Sequence, residues 1–173
     1  MRKAALLVID VQSGLVGGAY NESSVLSNIN KVISKIRANN GLVVFVQHCH
    51  ASYEPLMKGS PGWEVHPTLH TEEGDLFIEK TASDSFYETT LDAELTARNI
   101  GNVIVTGLQT EYCVDTTCRS ALSRHYSVTL ISDAHTTGNS HMPAAEIIDH
   151  HNRILKNLAH PAVSIKVKLT SEI

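Results

Sequence analysis

Apolar residues in this chain follow two different spacings. Short unbroken runs fit strands at Ala4–Ile9 (AALLVI), Leu42–Gln47 (LVVFVQ), Leu76–Glu79 (LFIE), Asn102–Gly107 (NVIVTG), Ser127–Ser132 (SVTLIS) and Ala162–Val167 (AVSIKV). Between them, helical spacing fits Ser23–Ala38, Leu91–Asn99, Glu111–His125 and Pro143–Leu158. In the first of these helices Val25, Ile29, Val32, Ile33 and Ile36 line one face. A strand that is apolar throughout is covered on both faces, and strands that alternate with helices run parallel. With right-handed crossovers, the pattern predicts an α/β fold, a three-layer α/β/α sandwich with about six mostly parallel strands. Such sheets bind their ligands beyond the carboxyl ends of the strands. The segment His48–Asp75, with Gly59, Pro61, Gly62 and Pro67, is longer than an ordinary connection and reads as a functional loop.

Composition narrows the classes of function. The 173 residues predict one domain, 1–173, large enough to bury a core. A net charge of -4 supplies no basic patch for nucleic acid. No apolar run approaches the ~18 residues of a membrane span. The opening MRKAALLVIDVQ is basic and then apolar, but the apolar run stops at Asp10, so it reads as a first strand rather than a secretory leader. Three cysteines, Cys49, Cys113 and Cys118, cannot all pair, and the expectation is free thiols in a reducing cytoplasm. Neither GxxxxGK[ST] nor GxGxxG occurs, so nucleotide binding has no support.

The strand ends carry the candidate chemistry. The first strand delivers Asp10, the second His48 and His50, the third Lys80, the fourth leads to Cys113, and the fifth delivers Asp133 and His135. Each has an ordinary structural role open to it: turn capping for the acids, a solvated lysine, a core cysteine. Together, Asp10, Lys80 and Cys113 form the coherent nucleophile set in this chain. With Thr110 as cap, Cys113 falls in the first turn of a helix, where free N–H groups and the dipole favour a thiolate. Lys80 adds positive charge, and Asp10 can take the thiol proton and return it to a leaving amine. A haloacid-dehalogenase-like phosphatase would carry a second Asp where Gln12 stands. A response-regulator receiver would carry an acidic pair that is absent, and it has no use for the Cys113 loop.

Over nearly its full length the chain resembles the isochorismatase-like cysteine hydrolase family. LLVIDVQSG resembles that family's opening D-x-Q strand, EKTASDSF its lysine segment, GLQTEYCVDTT its nucleophile loop and ISDAHTT its next strand end. The resemblance implies a Rossmann-like fold and an Asp10–Lys80–Cys113 triad. It also implies an oxyanion hole from the backbone N–H groups of Gln109 and Cys113, with a cis peptide between Leu108 and Gln109. The implied reaction is hydrolysis of a C–N bond in a small amide or ureide through a thioester on Cys113. Isochorismatase proper cleaves a vinyl ether and lacks the cysteine, so Cys113 sets this chain apart from it. Gln12, His48, Trp63, Phe86 and Tyr112 are candidate pocket residues. Family nicotinamidases bind a metal through Asp-x-His and a later W-x-x-H. Here HCH places His48 where the Asp would be, and WEVH retains Trp63 and His66. Zinc on His48, His50 and His66 is thus the alternative to the expectation of no metal and no organic cofactor. The expected partners are a small-molecule substrate and further copies of the chain, a dimer or larger, with neither nucleic acid nor membrane. The competing readings are a non-catalytic interaction protein on the same fold and a metal-assisted nicotinamidase-type amidase.

Overall fold

The computed structural model describes residues 3–173. Six strands, β1 (Lys3–Ile9), β2 (Leu42–His48), β3 (Leu76–Lys80), β4 (Ile100–Leu108), β5 (Ser127–Thr136) and β6 (Ile165–Lys168), form one sheet in the order β3-β2-β1-β4-β5-β6. Every pairing is parallel. The helices are a single turn α1 (Ser13–Val16), then α2 (Glu22–Ala38), α3 (Leu91–Ala97), α4 (Asp115–Ser123) and α5 (Ala144–Lys156).

Alternation along the central strands divides the core in two. Leu6 and Val8 of β1 face α2, whose Val25, Ile29, Val32, Ile33 and Ile36 bury against them and against Val43, Phe45, Ile104 and Ile131. Ala5, Leu7 and Ile9 face the other way, onto Leu91 and Leu95 of α3, Cys118, Ala121 and Leu122 of α4, and Leu155 of α5. Each fully buried aliphatic side chain contributes roughly 1.5–3 kcal/mol, so this packing, more than helix propensity, holds the helices in place. No helix among the described residues is long and apolar enough to cross a membrane.

Several boundaries differ from the sequence pattern. The helix predicted from Glu111 starts instead as a π-helical turn, Thr110–Val114, in which Val114 N–H donates to Gln109 O at 3.2 Å and Asp115 N–H donates to Thr110 O. Strand β5 runs on to Thr136 because, after a register shift, it pairs again with β4 at Gly107↔His135 and Leu108↔Thr136. Strand β6 begins only at Ile165, where its partner Val128 begins to pair, so Ala162 and Val163 stay in a loop. Helix α5 starts after Pro143, which has no N–H to give.

The crossing of β1 and β4 fixes the site. Gly107 has φ 113° and pairs with Ile9. A Cβ there would overlap the Ile9 carbonyl oxygen and lie 2.7 Å from its nitrogen. The left-handed backbone and the overlap add, so Gly107→Ala is expected to destabilise the protein by about 3 kcal/mol or more. Urea unfolding measures this, and an unchanged midpoint would remove Gly107 as the residue that brings β4 against the end of β1.

Candidate active site

Asp10 follows the last residue of β1 at φ 53°, a backbone region Asp tolerates better than most residues, and its N–H donates to Val46 O at 2.8 Å. Its carboxylate is buried. Oδ2 accepts from Lys80 Nζ at 2.7 Å, whereas Oδ1 is enclosed without a hydrogen-bond partner. Lys80 comes from the edge strand β3, two strands away, with β2 between. Strands lie ~4.8 Å apart, so only a long side chain spans that gap, and the Lys80 stem does so with 0% exposure. Its ammonium also meets Ala82 O at 2.9 Å, His48 Nδ1 at 3.1 Å and Cys113 Sγ at 3.3 Å. Ligand atoms of Asp10, His48 and Cys113 all lie within 4.8 Å of one another.

The Cys113 turn is held from beneath. The Leu108–Gln109 peptide is cis. The Thr110 hydroxyl does not cap the turn. It donates to His135 Nδ1 at 2.9 Å, because His135 Nε2–H is committed to Asn152 Oδ1 at 3.0 Å. Thr137 Oγ1 donates to Glu111 Oε1 at 3.0 Å. The lysine segment is tied to α4: Ser85 and Thr117 hydroxyls meet at 2.8 Å, and Ser120 Oγ donates to Asp84 Oδ2 at 2.7 Å. Residue spacing alone does not give these links. The Lys-x-x-x-Asp-Ser-Phe spacing and the polar end of β5 were the available signals, whereas the Ala82 carbonyl leaves none.

Burial dominates the electrostatics. It raises the Asp10 pKa despite the opposing effect of Lys80. It also raises the Cys113 thiol to about 11, with Asp10 adding to the rise and Lys80 working against it. The expected thiolate is therefore corrected: at neutral pH Cys113 keeps its proton, since desolvation and the neighbouring carboxylate outweigh the ammonium. His48 is lowered by burial and then by Lys80.

The pocket candidates separate. His48 joins the central cluster. Gln12 is buried beside it, but its amide is spent: Oε1 accepts from His48 N–H at 2.8 Å, and Nε2 donates to His48 O at 3.1 Å and Trp63 O at 2.8 Å. Gln12 thus clamps strand ends and loop. Trp63 donates its ring N–H to Cys49 Sγ at 3.1 Å and lines a cavity of about 470 Å³ with Gln47, His66 and Phe77, apart from the Asp10–Lys80–Cys113 cluster. Phe86 is not a pocket residue. It is buried in the core, stacked on Tyr126 with Arg124 over its ring. Tyr112 is 55% exposed on the Cys113 turn.

The three-histidine zinc site does not assemble. Among the described residues, Asp10, His48 and Cys113 are the group with metal-ligand geometry, and His50 and His66 stand outside it. His50 Nδ1 accepts from the Ser52 and Tyr53 N–H groups, and His66 Nδ1 from Thr68 N–H. Within the cluster the Lys80 ammonium meets the His48 ring nitrogen at 3.1 Å and the Cys113 sulfur at 3.3 Å.

Residues 4–161 match the sequence profile described as the isochorismatase domain. The chain is similar to streptothricin hydrolase of Streptomyces noursei, 35% identical over 144 residues, covering 82% of this chain and 51% of that protein. The chain therefore spans about half the length of that curated relative. Among solved structures, one titled as an isochorismatase family protein superposes with a TM-score of 0.83 at 34% identity, covering 94% of this chain and 96% of that one. N-carbamoylsarcosine amidase from Thermoplasma acidophilum superposes with a TM-score of 0.81 at 30% identity, covering 99% and 98%.

Asp10→Asn deletes one of the two influences that raise the thiol. The pH midpoint of Cys113 alkylation should therefore fall below that of the wild type, even though a proton acceptor is lost. A midpoint that stays or rises would contradict the electrostatic ordering given above. A second expectation concerns stability. Burial lowers His135 from its ordinary 6.5 to about 4, so the folded chain binds its proton less readily than the unfolded one. The stabilisation is complete above about pH 6.5 and is lost as pH falls towards about 4, on the order of 3 kcal/mol. Urea unfolding across that window should show the loss in the wild type and a smaller one in His135→Gln.

Proposed function

The chain belongs to the isochorismatase family, and on that premise we propose that it is a cysteine amidohydrolase cleaving a C–N bond of a small amide or ureide. The observation that carries this reading is the buried Asp10 carboxylate. One of its oxygens is held by Lys80, and the other is unpartnered in a cluster that includes the Cys113 sulfur. A free acceptor beside a protonated thiol is what a general base requires. The amidase named among the similar structures supports the bond type, since an N-carbamoyl compound is itself a ureide.

The sequence of steps follows from the groups present. Asp10 takes the Cys113 proton as the sulfur attacks the substrate carbonyl. The carbon–sulfur bond forms, and the carbonyl electron pair moves to oxygen. The Gln109 N–H, which donates no hydrogen bond among the described residues, and the Cys113 N–H are the proposed donors to that oxyanion. Asp10 returns the proton to the nitrogen as the C–N bond breaks, leaving an acyl thioester. Asp10 then takes a proton from water, the water oxygen attacks the thioester, and the thiol is reformed with release of the acid. Lys80 stays charged throughout and stabilises whichever of Asp10 or Cys113 carries the negative charge.

A panel of small amides and ureides, read as ammonia or amine release, should contain a substrate. Cys113→Ala should lower its turnover at least about a thousandfold with the fold preserved, since a nucleophile has no substitute. Acid-quenched wild-type protein should carry the acyl mass on the peptide containing Cys113. Turnover by Cys113→Ala at the wild-type rate would end the thioester reading.

A further inference from the structure

The Lys80 ammonium has three N–H bonds and four acceptors around it: Asp10 Oδ2 at 2.7 Å, Ala82 O at 2.9 Å, His48 Nδ1 at 3.1 Å and Cys113 Sγ at 3.3 Å. Two of these acceptors are neutral and fixed. Ala82 O belongs to the main chain. His48 hangs from a backbone whose N–H and C=O are both taken by the Gln12 amide, so its ring is placed by β1 as well as by β2. The remaining two, Asp10 and Cys113, are the groups between which a proton has to move.

We propose that His48 is a positioning residue for Lys80: as an uncharged acceptor it shares with Ala82 O the task of fixing the ammonium's rotation, so that a single N–H is left to serve Asp10 and Cys113 in turn. This rests on the reading of Cys113 as nucleophile and Asp10 as base. An imidazole that accepts at Nδ1 must carry its hydrogen on Nε2, and His48 Nε2 takes no hydrogen bond among the described residues and is not enclosed. The charged or titratable groups that face it are Lys80, Asp10, His50 and Cys113. Neutrality matters because a carboxylate at this position would hold the ammonium as firmly as Asp10 does and would raise the thiol further. This also accounts for a histidine here: it offers an acceptor without a competing negative charge.

Two measurements test this. In wild-type protein labelled with nitrogen-15 histidine, the His48 resonances at neutral pH should show a bare Nδ1 and a protonated Nε2. A protonated Nδ1, in either the other tautomer or the imidazolium, overturns the proposal. Alkylation of Cys113 by a haloacetamide in mildly alkaline buffer, mapped by peptide mass, supplies the second readout. His48→Asn keeps a neutral acceptor near the Nδ1 position and should stay within about threefold of wild type. His48→Asp has the same shape with a negative charge and should slow alkylation at least about tenfold, the equivalent of one pKa unit. Equal rates for the two variants overturn the proposal, because a purely structural role would not distinguish them. If Cys113→Ala turns over its substrate at the wild-type rate, the proposed function fails, and the tautomer measurement still decides the role of His48.

Discussion

One buried ammonium organises the functional end of this molecule. Lys80 is enclosed with no exposed side-chain surface and sits against groups from the ends of β1 and β2, its own segment and the Cys113 turn. Removing one partner of a buried pair costs about 3–5 kcal/mol because the other charge is stranded, so Asp10 and Lys80 have to be placed together or not at all. Much of the surrounding structure serves that placement. Gln12 ties the end of β1 to the end of β2, the Asp84 and Ser85 contacts tie the lysine segment to α4, and Gly107 lets β4 close against Ile9.

The sheet explains why the lysine has to be a lysine. Because the order is β3-β2-β1-β4-β5-β6, Cys113 follows the neighbour of β1, but Lys80 lies on the far side of β2. A short cation on β3 would stop above the end of β2. The four-carbon stem crosses it, and the residue on β2 beneath that crossing is His48. The contact between His48 and Lys80 is therefore a consequence of strand order, and whatever side chain stands at His48 must tolerate an ammonium.

Apolar periodicity made the layers legible, because strands buried on both faces and helices with one apolar face leave strong patterns in sequence. The positions of Asp10, Lys80 and Cys113 were legible too, since the carboxyl ends of parallel strands converge whatever their register. What could not be read was anything settled by main-chain polar groups or by depth of burial. The Ala82 carbonyl has no signature. The π-helical start of the Cys113 turn depends on where Val114 and Asp115 N–H groups find acceptors, which no spacing rule gives. Thr110 reads as a cap until His135 is seen to claim its hydroxyl, and that claim depends on Asn152, seventeen positions past His135 in sequence. Phe86 closes the lysine segment in sequence but is buried in the core, where the neighbouring Ser85 is tied to Thr117 of α4.

The thiol correction has the widest consequence. Helix position and a nearby lysine suggest a thiolate, yet depth raises Cys113 to about 11 and raises Asp10 as well. The Cys113 thiol then keeps its proton beside Asp10 and the Lys80 ammonium. Moving that proton from sulfur to carboxylate leaves the net charge of the cluster unchanged, so the buried site is never asked to hold an extra, uncompensated ion. Separating charge in a low-dielectric interior is the expensive step, and this arrangement avoids it by exchanging one anion for another next to the same ammonium. A free thiolate would need no base, and the buried, unpartnered oxygen of Asp10 would have no purpose. In the proposed mechanism, a thiol that keeps its proton needs that oxygen as its acceptor.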